Sequence, residues 1–367
     1  KMDELRDRKV IQGLLTAIKD KVKQISSPVR VMEVCGTHTM TIHRFGLKDM
    51  LEDAGVEMLS GPGCPVCITP DEYHEAAIGL VEKNENFILT TFGDMTRVPT
   101  SLGSLQTTVA AKNSMVKIVY SPFEALEIAK KDQSKEVVFF GVGFETTIPG
   151  IVLSVKEASE NGIKNYSILS AFWVIPPPLR AIVTSDPSIS GFIYPGHVSA
   201  IIGKAPYSFI ADDFDIAGAI AGFEPVDVLL AIKSIVDQIN EGKPVVDNVY
   251  ERVVRPEGNP AAQRIMEKML VSKDAYWRGL GEISSSGLKL KEQYSFYDAE
   301  IKYAIGLQFG SQDLPGCRCG DVLQGKISPT ECPLFGNSCN PDSPRGPCMV
   351  SFEGACLACY KYSFHRT

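Results

Sequence analysis

Apolar positions along the chain predict short buried strands alternating with amphipathic helices. Leu5, Val10, Ile11, Leu14, Leu15, Ile18, Val22 and Ile25 recur at helical spacing, and Pro28 ends that opening helix. VRVMEV (29–34) then reads as a strand. Further strands are predicted at FILTTF (87–92), VKIVY (116–120), EVVFFG (136–141) and YSILSAF (166–172). Between them lie helices at EYHEAAIGLVEK (72–83), from Pro122, and from about Pro149 to Glu160. Two helix starts are explicit. Ser121-Pro122-Phe123-Glu124 and Thr69-Pro70-Asp71-Glu72 each place a capping hydroxyl before Pro and an acid. Residues 189–193 and 207–211 are further strand candidates, and PVDVLLAIKSIVDQINEGK (225–243) reads as a helix closed near Gly242. After Asn248 strand signals fade, with helices expected around 260–271 and 298–305 flanking the Gly/Ser-rich stretch 279–290.

This alternation is the pattern of a largely parallel α/β fold. At 367 residues the chain exceeds one ordinary core. The expectation is two α/β domains with largely parallel sheets, at 1–117 and 118–247, followed by a cysteine-rich, mostly helical or irregular unit at 248–367. Segment 185–225 is free to pack back onto the first domain.

Charge narrows the partners. The net charge of -7 is dispersed, and no basic stripe matches a nucleic-acid backbone. The stretch KMDELRDRKVIQGLL is charged from its first residue and lacks a signal-peptide core, and no apolar run approaches membrane-spanning length. A cytoplasmic protein is expected, in whose reducing surroundings cysteines read first as metal ligands or redox thiols.

The ten cysteines divide into two groups. Cys35 follows the first strand in Cys35-Gly36-Thr37-His38-Thr39-Met40, at the strand end where open α/β sheets bind ligands. The competing reading is a buried cysteine beside a surface histidine. Gly61-Pro62-Gly63-Cys64-Pro65-Val66-Cys67 places a Cys-x-x-Cys pair at a helix start, where the dipole favours thiolate, so the pair reads as a reversible dithiol or as two soft metal ligands. Three front cysteines make an incomplete tetrahedral set, leaving positions open for other ligands. Gly141-Val142-Gly143-Phe144-Glu145-Thr146-Thr147, Pro176-Pro177-Pro178 and Tyr194-Pro195-Gly196-His197 look built for close approach. The first lacks the order and the lysine of a nucleotide loop. Glu145 is a candidate acid/base or an ordinary polar residue near a helix start; His197, Asp94 and Arg97 carry similar alternatives.

The second group, Cys317, Cys319, Cys332, Cys339, Cys348, Cys356 and Cys359, lies in a Gly- and Pro-dense tail with little apolar periodicity. A metal there would supply cross-links that a core does not. Four thiolates suit tetrahedral zinc or a 4Fe-4S cluster, and the spacing matches neither a zinc ribbon nor a bacterial ferredoxin run.

Together, Cys35-Gly-Thr-His-Thr-Met40, Gly61-Pro-Gly-Cys-Pro-Val-Cys67, Gly143-Phe-Glu-Thr-Thr147, Pro195-Gly-His-Val198 and the Cys317-Arg-Cys319 tail resemble the HypD family of [NiFe]-hydrogenase maturation proteins, over essentially the whole chain. That resemblance implies a scaffold that works with the chaperone HypC and carries the iron on which the Fe(CN)2CO group is assembled. Cyanide would arrive from HypE, working with HypF, and the finished group would pass to the hydrogenase large-subunit precursor. It also implies a 4Fe-4S cluster in the C-terminal domain. By resemblance Cys35 is the principal iron thiolate, Cys64 and Cys67 are further iron-site or redox thiols, and His38, Glu145 and His197 surround the cleft. Cys317, Cys332, Cys339 and Cys356 are expected to hold the cluster, with Cys319 and Cys348 as a redox pair and Cys359 unassigned. Two rivals remain open: a cluster-dependent thiol–disulfide oxidoreductase, and a zinc-stabilised binding scaffold.

Overall fold

The computed structural model describes residues 2–83, 85–110, 115–310 and 314–363. In chain order the first six strands are β1 (Val29–Glu33), β2 (Val56–Ser60), β3 (Phe87–Thr91), β4 (Met115–Ile118), β5 (Glu136–Gly143) and β6 (Tyr166–Phe172). They are followed by β7 (Gly191–Pro195), β8 (Ala217–Ala221), β9 (Val246–Asn248), β10 (Leu270–Trp277) and β11 (Gly281–Leu290). One sheet has the order β2-β1-β7-β8-β9 and the other β4-β3-β5-β6, and every pairing within both is parallel. The expected parallel α/β architecture is therefore present, with a cysteine-rich C-terminal region after it.

The expected boundary at residue 117 falls inside β4. The first sheet instead takes β1 and β2 from one side of the chain and β7 to β9 from the other, while the second sheet is contiguous in sequence. Segment 185–225 contributes β7 and β8 to the first sheet, so the chain leaves that sheet after β2 and returns.

Two local expectations are corrected. Residues 207–211 are helical, belonging to a 3-10 turn at Ala205–Tyr207 and a helix at Ser208–Phe214. Tyr207 and Ile210 are the buried positions, and a three-residue spacing is a helical face rather than an alternating strand. The stretch 279–290 is not irregular: β11 pairs antiparallel with β10, with a bulge between Lys273 and Ala275. The glycines and serines hide a strand because its contacts are polar or close. Ser286 Oγ accepts from the buried Trp277 indole at 2.8 Å, and Gly287 bridges to Trp173 at the end of β6.

Strand side chains alternate between separate cores. Val29 and Val31 face the helices Arg8–Val22 and Pro225–Glu241, whereas Met32 and Val34 turn to a core shared by both sheets. In β5, Val137 and Phe139 pack on the helices Pro122–Lys131 and Ile148–Glu160, and Val138, Phe140 and Val142 enter the shared core. Trp173, Trp277, Cys64, Cys67 and several tail cysteines complete that core. The cysteine sites are thus built into the packing between the sheets. No helix among the described residues is long and apolar enough to cross a membrane.

Candidate thiol and metal site

The predicted front residues gather at the carboxyl ends of the parallel strands, where amides and side chains of the connecting loops converge. Cys35 leaves β1 in extended conformation and stands before the helix Gly36–Arg44. Its amide donates to Glu33 Oε2 at 3.0 Å, and Thr39 Oγ1 donates to the other carboxylate oxygen at 2.5 Å. Burial pushes the Glu33 carboxyl up to about 8. Burial, with the nearby Glu353 carboxylate adding to it, pushes the Cys35 thiol up to about 12.

The Cys-x-x-Cys loop lies directly on Cys35. A Cβ on Gly63 would fall 2.2 Å from the Cys35 nitrogen, so only glycine permits this approach, and Gly36 donates to the Gly63 carbonyl at 3.2 Å. Cys64 and Cys67 are joined as a disulfide across the single helical turn Pro65–Ile68, with Cys64 Sγ accepting from the Cys67 amide at 3.1 Å. In this state neither sulfur is a thiolate, so metal ligation by the pair requires prior reduction. The Thr69 hydroxyl donates back to the Pro65 carbonyl at 2.7 Å, and the following helix runs Asp71–Lys83.

His38 and His197 flank one aromatic ring. Phe223, just past β8, stacks on His38 at 4.8 Å and on His197 at 4.0 Å between ring centroids. His38 Nε2 meets the Gly222 carbonyl at 2.9 Å, while its buried Nδ1 has no hydrogen-bond partner among the described residues. Burial lowers the His38 imidazole to about 4 and also lowers that of His197, so both rings are held toward the neutral form. Glu145, beyond β5, accepts from the Ile175 amide at 3.0 Å through Oε1; Oε2 is buried without a partner among the described residues. Burial raises this carboxyl to about 7. Tyr207 is fully buried in the core shared by both sheets, where its hydroxyl accepts from Ser199 Oγ at 3.3 Å and burial raises the phenol well above its ordinary range. Pro176-Pro177-Pro178 opens the helix Pro176–Ser185, and Pro176 and Pro177 line one cavity with Glu145.

Asp94 and Arg97 hold the tail. Asp94 accepts from the Phe352 amide at 3.3 Å and Arg97 donates to the Val350 carbonyl at 3.2 Å. Across the cleft, Thr37 Oγ1 donates to Glu353 at 3.2 Å, and a Cβ on Gly36 would collide with Glu353. Segment 350–354 is therefore a strap between the ends of the two sheets.

Six tail cysteines, Cys317, Cys319, Cys332, Cys339, Cys348 and Cys356, line one small cavity closed by Val322, Leu334, Phe335 and Met349. The neighbouring Cys319 and Cys356, together with burial, hold the Cys348 thiol well above its ordinary range. A Cβ on Gly346 would stand 2.7 Å from Cys317 Sγ, so the glycine keeps that wall open. Among the described residues no three Cys, His, Asp or Glu side chains are gathered to hold one metal ion. A polynuclear cluster makes a different demand, since each thiolate binds a different iron and the sulfurs stand farther apart. A dry pocket walled by soft thiolates fits such a group. Cys359 does not belong to it and lines a separate polar cavity with His43, Lys48 and Glu33.

The two thiol regions meet. The turn Pro65–Ile68 packs against both Cys319–Leu323 and Pro347–Met349, the segments carrying Cys319 and Cys348.

The family model HypD, described as "Hydrogenase formation hypA family", matches residues 9–363. The chain belongs to the HypD family of hydrogenase maturation factors. It is 41% identical to hydrogenase maturation factor HypD of Rhodobacter capsulatus, covering 99% of this chain and 98% of that protein. It is equally similar to hydrogenase maturation factor HypD of Escherichia coli K12, at 41% over 98% of this chain and 97% of the relative. A putative hydrogenase expression/formation protein of Methanocaldococcus jannaschii is 37% identical over 98% and 99%.

Within this HypD-family chain, sequence reasoning passed over Glu33, Glu353, Phe223, Tyr207 and the Asp71–Arg278 pair. Glu33 carried a usable signal, a lone acid in the otherwise apolar end of VRVMEV. The others become visible only when distant segments pack.

Proposed function

We propose that this chain is an assembly scaffold that, with HypC, holds iron on Cys35 while cyanide and CO are attached. The observation that supports it most is the shared packing of the Cys64–Cys67 turn. One side of that loop lies on Cys35 and the other on the segments carrying Cys319 and Cys348.

Each residue then has a task. Burial keeps Cys35 a thiol until a cation displaces its proton, so iron loading releases a proton and tightens as pH rises. Its sulfur donates the electron density that back-bonding ligands need. His38 and His197, held neutral on Phe223, line the cleft without adding charge. Cys317, Cys332, Cys339 and Cys356 would hold a 4Fe-4S cluster, which supplies electrons one at a time. Cys319 and Cys348, as a dithiol, would reduce the front disulfide by exchange. The Cys64–Cys67 bond breaks, a Cys319–Cys348 bond forms, and two electrons with two protons move to the front thiols. In this reading HypE, served by HypF, delivers cyanide, and the finished group leaves for the hydrogenase large-subunit precursor.

The disulfide at Cys64–Cys67 also favours a second reading, a thiol–disulfide oxidoreductase fed by the tail. Infrared spectroscopy of the anaerobic complex with HypC separates the two. Cyanide and CO bands are expected in wild type and absent in Cys35→Ala. Unchanged bands in that variant would sink the role of Cys35. About four iron and four sulfide per chain are expected for the tail, and zinc in their place would favour the binding scaffold.

A further inference from the structure

The turn of the β10–β11 hairpin holds a buried arginine that no step above uses. Arg278 and Asp71 form an ion pair at 2.5 Å with side chains 7% and 5% exposed. The same guanidinium donates to the Thr69 carbonyl at 2.9 Å, and the Arg278 amide donates to the Ile68 carbonyl at 2.9 Å. Three groups directly after Cys67 are thus fixed by one residue. The next residue of the hairpin turn engages the other thiol region. A Cβ on Gly279 would meet the Gly320 Cα at 2.5 Å, and Gln324 Nε2 donates to the Gly279 carbonyl at 2.6 Å. Gly320 directly follows Cys319. A buried charge pair is costly to desolvate, and removing one partner leaves an uncompensated buried charge.

We propose that Arg278 is a positioning residue for the Cys64–Cys67 pair, and that the hairpin turn fixes this pair against the Cys319 segment. The inference rests on the reading of Cys64–Cys67 as a reversible dithiol. The mechanism is effective concentration. With Ile68, Thr69 and Asp71 gripped, the two reduced sulfurs stay within bonding reach, which favours the disulfide over the open dithiol. Loosening the grip lets the reduced turn spread, so the disulfide becomes easier to reduce. The balanced reaction is disulfide plus a dithiol reductant giving two front thiols and the oxidised reductant.

The test is equilibration of the full chain with dithiothreitol buffers under anaerobic conditions, reading thiols at Cys64 and Cys67 by alkylation and mass spectrometry. In Arg278→Gln the equilibrium is expected to move about tenfold toward the dithiol, a rise of about 30 mV. Arg278→Lys keeps the charge but loses the fork and is expected to fall between that variant and wild type. Should Arg278→Gln not fold, the double variant Arg278→Met with Asp71→Asn removes both charges together and is expected to show the same shift. A folded variant with the wild-type equilibrium overturns the positioning role. Failure of wild type itself to release two thiols at Cys64 and Cys67 overturns the reversible-dithiol reading instead, so the two failures are distinct.

Discussion

Glu145 shows how one residue links burial to function. Its carboxyl sits at the end of β5 with one oxygen on the Ile175 amide and the other buried without a partner among the described residues. Folding raises it from the ordinary 4.5 to about 7. The sign follows from proton binding: between those values the folded state holds more protons than the unfolded one. The contribution is complete below about pH 4.5 and is lost as pH climbs through about 7. The full swing is at most about 3.5 kcal/mol, from roughly 1.4 kcal/mol per pH unit. Glu145→Gln should therefore flatten the fall in melting temperature between pH 5 and 8, whatever its effect on absolute stability. A variant whose melting temperature tracks wild type across that range would show that Glu145 is not the group responsible. Gly63 makes the complementary point, since it matters by what it lacks: the absence of a Cβ lets the disulfide loop rest on Cys35.

At the scale of elements, the strap 350–354 has no regular structure, yet it joins the ends of both sheets through Asp94, Arg97 and Thr37. Arg97→Ala removes its bond to Val350 and the charge near Asp94, where the two side chains stand 3.8 Å apart. A single half-exposed hydrogen bond is worth about 1 kcal/mol. Amide exchange at Phe352 and its neighbours should quicken about fivefold, with little change in the global melting temperature; exchange at the wild-type rate would leave Arg97 no part in holding the strap. Which elements the sequence reveals follows the same logic of local against distant contacts. β1, β3, β5 and β6 were legible because continuous apolar runs mark strands buried on both faces. β8, AGAIA, was missed because its small residues are set by a distant ring: a Cβ on Gly218 would stand 2.3 Å from Tyr194. β2 was overlooked because Glu57 interrupts it, and β11 because its serines and glycines serve Trp277 and Ala275 rather than a generic core. The cysteine motifs stood out by composition alone. Their neighbours Glu33, Phe223 and Arg278 did not, since each is an ordinary residue until another segment arrives.

For the whole molecule, the decisive relation is that the tail completes a core it does not itself contain. Cys319, Cys339, Cys348, Cys356 and Cys359 share the core between the sheets with Cys64, Cys67, Trp173 and Trp277, while the eight-residue helix Ala355–Tyr362 is the longest element their own segment contributes among the described residues. Such a segment needs cross-links to stay docked, so metal binding and docking should be one event. If the tail binds the cluster proposed above, anaerobic removal of its iron is expected to expose residues 314–363 to proteolysis and to speed amide exchange in the turn Pro65–Ile68, which packs on that tail. The helices Arg8–Val22 and Pro225–Glu241 face a separate core behind the first sheet and should keep their protection. Cys359 supplies the internal control. It lines the polar cavity beside His43 and Lys48, apart from the six-cysteine pocket. Cys359→Ala should therefore retain full iron and sulfide and the protected tail, whereas Cys339→Ala should lose both. Equal iron loss in the two variants would move Cys359 into the ligand set, and a tail that stays protected without iron would show that packing alone holds it in place.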